Sequence, residues 1–146
     1  MLLLSLDFED GEQIPDRFSC DGLNVNPSLR IEDAPDDAES LAIMMEDPDA
    51  PAGVWTHWLV WNIPPKTKEI GQSSLSDGAV EGINSAGSQE YQGPCPPSGV
   101  HHYIFHLYAL DVELDIDSQA ERDDFLLAID GHVVAETTLT GLYGRQ

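Results

Sequence analysis

Hydrophobic positions along this chain come in short runs separated by turn-forming residues, the pattern of strands rather than of helices. Residues 2–8 alternate weakly and predict a first strand. The turn-rich Asp21-Gly22-Leu23-Asn24-Val25-Asn26-Pro27 leads to a short alternating segment over 28–31. Residues 40–46, Ser-Leu-Ala-Ile-Met-Met-Glu, predict a buried strand that delivers the chain to Asp47. Residues 54–63 predict another, ended by Pro64-Pro65, and the aromatic and β-branched run over 101–110 predicts a long central strand. Between them, residues 71–92 are so rich in Ser and Gly that they predict irregular loop. One helix is signalled: Ser118 and Glu121 form a capping box, Phe125, Leu126 and Ile129 share a face, and Gly131 supplies a stop. Residues 132–140 predict a last strand. Many strands and one late helix imply a mainly β sandwich with one or two helices at its edge.

The chain's 146 residues are expected to form one domain with a proper core. No apolar run reaches the roughly 20 residues that span a bilayer, and the first residues lack the basic start of a signal peptide, so the expected location is the cytoplasm. Charge changes the picture most. The chain has 27 acidic residues against 2 Lys and 4 Arg, a net −21. Such a surface repels phosphate backbones and anionic headgroups, which excludes nucleic acid and membrane insertion from the expected partners. Near absence of Lys points to a salt-adapted cell interior, where a Debye length of about 3 Å at 1 M salt screens self-repulsion. Two cysteines, Cys20 and Cys95, make no disulfide framework. Free thiols are the default in a reducing compartment, and pairing between their two loops stays open.

Candidate chemistry is concentrated in two segments. Asp47-Pro48-Asp49-Ala50-Pro51 runs into Trp55-Thr56-His57-Trp58, and Gly93-Pro94-Cys95-Pro96-Pro97-Ser98-Gly99 runs into His101-His102-Tyr103. Alternate residues of a strand share a face, so Trp55, His57, Leu59 and Trp61 are expected on one side of the first strand. His101, Tyr103 and Phe105 are expected on one side of the second, with His102, Ile104 and His106 opposite. If the strands are neighbours, His57, His101 and Tyr103 line one cavity. Asp47 and Asp49 enter from the turn, and a Gly93 amide is aimed inward from the opposite lip. Imidazoles, a phenol and an amide suit phosphate or carboxylate oxygens. Asp47 is expected to accept from a P–OH group or to set the tautomer of His57.

A metal held by Asp47, Asp49, His57 and His101 is the main competitor, but no ligand spacing supports it, and none is expected. His102 and His106 have helical ligand spacing in a β-prone run, and with His132 they read as ordinary surface or core residues. Neither Ser98 nor Cys95 carries the signature of a catalytic nucleophile. A binding protein without catalytic activity is therefore expected. The alternative is a small hydrolase or isomerase with His57 and Asp47 as its acid–base pair.

Those two segments, with residues 20–29 and Leu139-Thr140-Gly141-Leu142-Tyr143-Gly144-Arg145, resemble the phosphatidylethanolamine-binding protein family, nearest its prokaryotic, Raf kinase inhibitor-like branch. The resemblance covers nearly the whole chain. It implies a β-sandwich of two antiparallel sheets in a Greek-key arrangement with few helices. It also implies a pocket for phosphate, acetate or a phosphoethanolamine-like group, lined by Asp47, Asp49, His57, Gly93, His101 and Tyr103 and shaped by Pro48, Trp55 and Pro94. A cis Ala50-Pro51 bond, no cofactor, a kinase-like protein target and a homodimer belong to the same implication. The chain ends soon after Tyr143, so the pocket is expected to be open, and Glu90 is expected to bring negative charge to its Gly93 lip.

Overall fold

A computed structural model describes residues 1–145. Eight strands form two antiparallel sheets. The smaller has the order β1-β2-β5, from Leu2–Leu4, Leu29–Glu32 and Glu69–Ile70. The larger has the order β6-β4-β3-β7-β8, from Val80–Glu81, Trp55–Ile63, Ser40–Asp47, Val100–Leu110 and Val133–Gly144. The main strands lie close to their expected places, and the two-sheet β architecture is as read.

The alternation of β3 explains the layering. Leu41, Ile43 and Met45 face the small sheet, where they join Leu3, Leu29, Ile31 and Ile70 with Trp58, Val60, Phe105 and Leu107. Ala42 and Met44 face the other way and pack with Leu59, Trp61, Tyr108, Leu110 and the helix residues Phe125 and Ile129. The centre of the large sheet is thus covered on both faces, so β3 is a continuous apolar run rather than a half-polar one. Burying each large apolar side chain here contributes about 1.5–3 kcal/mol.

Several expectations need correction. The first strand stops at Leu4 rather than residue 8, because the Asp7 carboxylate turns back to accept from the Ser28 N–H at 2.7 Å and its hydroxyl at 2.8 Å. Residues 71–92 are not wholly irregular: β6 pairs Val80 and Glu81 with Trp61 and Val60. β8 runs on to Gly144 alongside β7, past residue 140. The helix spans Arg122–Ile129 and is capped by Glu121, not Ser118. Asp117 captures the Gln119 N–H at 2.7 Å and Ile83 N–H binds the Ala120 carbonyl, so the backbone is committed elsewhere until Glu121. Glu121 and Asp124 then form the reciprocal box. Gly131, at φ +82°, ends it as expected. No peptide bond among the described residues is cis, so Ala50-Pro51 is trans.

Candidate functional site

At one end of the large sheet, β3 and β7 run side by side with β4 on the outer flank of β3. Pairing of β3 with β4 runs Asp47 opposite Trp55 and Glu46 opposite Thr56, then jumps to Met45 opposite Trp58. His57 is the extra residue of a β-bulge. A bulge shifts the alternation by one. His57 therefore shares its side with Trp55 before it and with Trp58 and Val60 after it, while Leu59 and Trp61 face the helix. Simple alternation had put Leu59 and Trp61 on the face of His57; the bulge overturns that part. On β7 the alternation holds, with His101, Tyr103 and Phe105 buried and His102 exposed.

These choices close a cavity of about 200 Å³ lined by Asp47, Trp55, His57, Gly93, His101 and Tyr103. Ala50, Pro51, Gln92, Cys95, Pro96 and Pro97 complete the wall. Tyr103 stands between the two imidazoles: its ring centroid is 5.2 Å from that of His57, edge-on, and 6.4 Å from that of His101, stacked. Asp49, Pro48 and Pro94 do not line it. Pro48 is exposed, Pro94 is buried behind the lip, and the Asp49 carboxylate binds the Nδ1 and backbone N–H of His102 at 2.7 and 2.8 Å, on the outer face. Those bonds, the ring's first, hold the Asp49 carboxyl below its usual range. Glu90 lines a separate depression with Asn24 and Glu81, so the lip residue facing the site is Gln92, not a carboxylate.

Hydrogen bonding fixes the chemistry of both rings. His57 Nδ1 lies 2.6 Å from the Gln92 carbonyl, which only accepts, so Nδ1 carries the proton. His101 Nδ1 lies 2.7 Å from Asp47 Oδ2, and the other Asp47 oxygen accepts from the Asp49 N–H at 2.8 Å. Asp47 is thus the partner of His101 and not of His57, which overturns the second of its two expected roles, setting the tautomer of His57. Neither Nε2 has a protein partner, and neither is sealed from solvent, since Trp61 Nε1 is the one enclosed side-chain polar atom without a partner among the described residues. Both rings present their remaining nitrogen to the cavity. Burial lowers the pKa of His57, opposed by the Gln92 carbonyl and the Asp47 charge, so this ring is neutral at pH 7. Burial also raises the pKa of Tyr103, helped by the charge of Asp47, so the phenol keeps its proton.

Gly93 has a different role from the one expected. Its N–H is taken by Asn24 Oδ1 at 2.7 Å and does not aim into the cavity. A side chain there would drive its Cβ into the Phe18 carbonyl oxygen. Glycine lets the lip lie against the 16–24 segment. Cys20 and Cys95, left open by the sequence, form a disulfide across this same junction. Gln92 was missed by sequence reasoning. It holds the site twice, by its carbonyl to His57 and by its side-chain oxygen, which accepts from Trp55 Nε1 at 2.8 Å. A lone glutamine in a loop carries no sequence signal. Pro96 and Pro97 were visible as part of the Pro-rich turn but not as wall.

A two-sheet antiparallel sandwich with an Asp–His pair, a second histidine and a tyrosine around one small end cavity is a restricted combination of fold and site. The family model described as phosphatidylethanolamine-binding protein matches residues 4–144, and the chain belongs to that family. Among its relatives, a UPF0098 protein of Methanothermobacter thermautotrophicus is 48% identical over 94% of this chain and 95% of its own. Among solved structures, the phosphatidylethanolamine-binding protein homologue CT736 of Chlamydia trachomatis superposes with a TM-score of 0.95 at 38% identity, covering 99% of this chain and 97% of its own. YbcL of E. coli, described as a member of the mammalian family, reaches 0.93 at 30% identity, with 99% and 98% covered. No helix among the described residues is long and apolar enough to cross a membrane.

Proposed function

We propose that the chain is a small-anion-binding protein whose guest is a phosphate, phosphoester or phosphoethanolamine-like group seated at His57, His101 and Tyr103. One observation carries this reading: two imidazole Nε2 atoms without protein partners share a 200 Å³ cavity beside a buried carboxylate. The volume falls below the roughly 300–1,000 Å³ of sites for drug-sized ligands, so the guest is small. Because each Nδ1–H is turned away, a neutral Nε2 accepts and cannot donate. An anion is therefore held in one of two ways. Either it brings its own proton, as a P–OH donating to Nε2, or a ring takes up a proton as it binds. Asp47 disfavours a fully ionised guest.

The hydrolase or isomerase alternative requires His57 and Asp47 as a pair, and Asp47 instead holds His101. Seating a phosphorylated side chain of a kinase-like partner is the regulatory form of the binding reading. The acidic surface belongs with it as an adaptation to a cell interior of molar salt. The test is calorimetric titration with inorganic phosphate and with phosphoethanolamine from pH 5 to 8, in buffers of different ionisation heats. Binding should tighten as pH falls and take up protons, and His57→Ala should abolish it. Absence of both heat and imidazole NMR shifts across that range would sink the proposal.

A further inference from the structure

The cavity's proline-rich lip is held at the junction where the two sulfurs meet. Pro94, Pro96 and Pro97 have no N–H, so the lip can offer few backbone bonds of its own. Its ties to the body are the three bonds of Gln92 to Trp55 and His57 at its start, the Gly93 N–H to Asn24, the Cys20 N–H to the Pro94 carbonyl at 3.1 Å, and the disulfide itself. Cys95 is both half of that bond and part of the cavity wall. Both cysteines are exposed, unlike a bond sealed in a core. Exposed disulfides are the ones open to thiol exchange.

Their surroundings are unequal. The Arg145 guanidinium lies 3.9 Å from Cys95 Sγ and 3.2 Å from Asp21 Oδ1, the carboxylate that follows Cys20. A departing thiolate is steadied on Cys95 and opposed on Cys20. We infer that the Cys20–Cys95 bond is a reversible thiol-exchange site that controls the closure of the cavity lip, and with it the affinity for the guest. The control of affinity rests on the anion reading above; the exchange site and the lip do not.

The reductant is a dithiol. One of its thiolates attacks Cys20 Sγ, and the S–S electron pair leaves on Cys95 Sγ, beside Arg145. The reductant's second thiol, as thiolate, then displaces Cys20 Sγ. The products are two protein thiols and an oxidised cyclic disulfide, with two electrons and two protons passed to the protein. Once the bond is open, the wall formed by Cys95, Pro96 and Pro97 rests on a few isolated hydrogen bonds, and the closed lip becomes one state among several.

The experiment compares the whole protein oxidised, reduced by dithiothreitol, and as Cys95→Ser, with far-UV circular dichroism verifying the fold. Hydrogen exchange is read at the amides of Gly93, Cys95, Ser98 and Gly99, and affinity is measured with inorganic phosphate. Reduction should speed exchange at those amides and weaken phosphate binding about 5-fold, the factor expected if the competent lip is populated about one-fifth of the time. Arg145→Gln should slow reduction about 3-fold while leaving phosphate affinity of the oxidised protein unchanged. Unchanged lip exchange after reduction overturns the inference, and so does phosphate affinity equal in the two states. Faster lip exchange with no phosphate binding in either state overturns the anion reading and supports redox control of the lip.

Discussion

Removing the Asp47 carboxylate tests the organisation of the site directly. Asp47 is 4% exposed and His101 8%, and their contact is 2.7 Å. In Asp47→Ala two donors lose their acceptor: His101 Nδ1–H and the Asp49 N–H. Each buried donor left unpaired costs about 1–3 kcal/mol, the upper end applying where the lost acceptor was a carboxylate. The cavity admits water, which restores part of this, so the expected loss is about 3 kcal/mol. Asp47→Asn keeps an oxygen for the Asp49 N–H, and its amide can donate to the other tautomer of His101, so about 1 kcal/mol is expected. Pairing each single change with the double change Asp47→Ala/His101→Ala should give a coupling energy of about 2 kcal/mol. Urea unfolding followed by tryptophan fluorescence, in 2 M KCl to screen the surface charge, measures all five proteins, the unsubstituted chain included. A loss below about 1 kcal/mol for Asp47→Ala, or a coupling below about 0.3 kcal/mol, refutes the pairing.

Other outcomes follow from the same geometry. Gly93→Ala should cost about 3 kcal/mol in urea unfolding, since its Cβ meets the backbone of Phe18 and the Asn24 side chain rather than a flexible tip. Stability should fall as pH drops below about 6.5, because the unfolded chain protonates His57 while the buried ring, with its lowered pKa, resists. His57→Asn should flatten that slope in urea midpoints measured between pH 7 and 5. At lower pH a second loss should appear as protonation reaches the folded pKa of Glu46, lowered mainly by its hydrogen bond from His106; its contribution is present above the ordinary 4.5. His106→Gln should reduce this acid-side loss. With net charge −21, thermal stability should rise between 0.2 and 2 M KCl, and a flat profile in scanning calorimetry would count against salt adaptation.

The order of short apolar runs and turns, together with two motif-bearing segments, was enough to predict a mainly β fold and to select His57, His101, Tyr103 and Asp47 as neighbours. Alternation does this because side-chain direction in a strand is a local property, readable wherever the ladder is regular. It failed where the ladder was not regular. The bulge at His57 depends on β3 lying alongside β4, and nothing within residues 54–63 announces it. The partnership of Asp47 with His101 spans 54 residues and that of His57 with Gln92 spans 35. Tautomers and free nitrogens are set by such distant acceptors, so sequence could name the rings but not which atoms they offer. The sulfur pair likewise joins residues 75 apart. Local chemistry chose the elements and the kinds of groups; their pairing, and so the face each group shows its guest, came only from packing the sheets together.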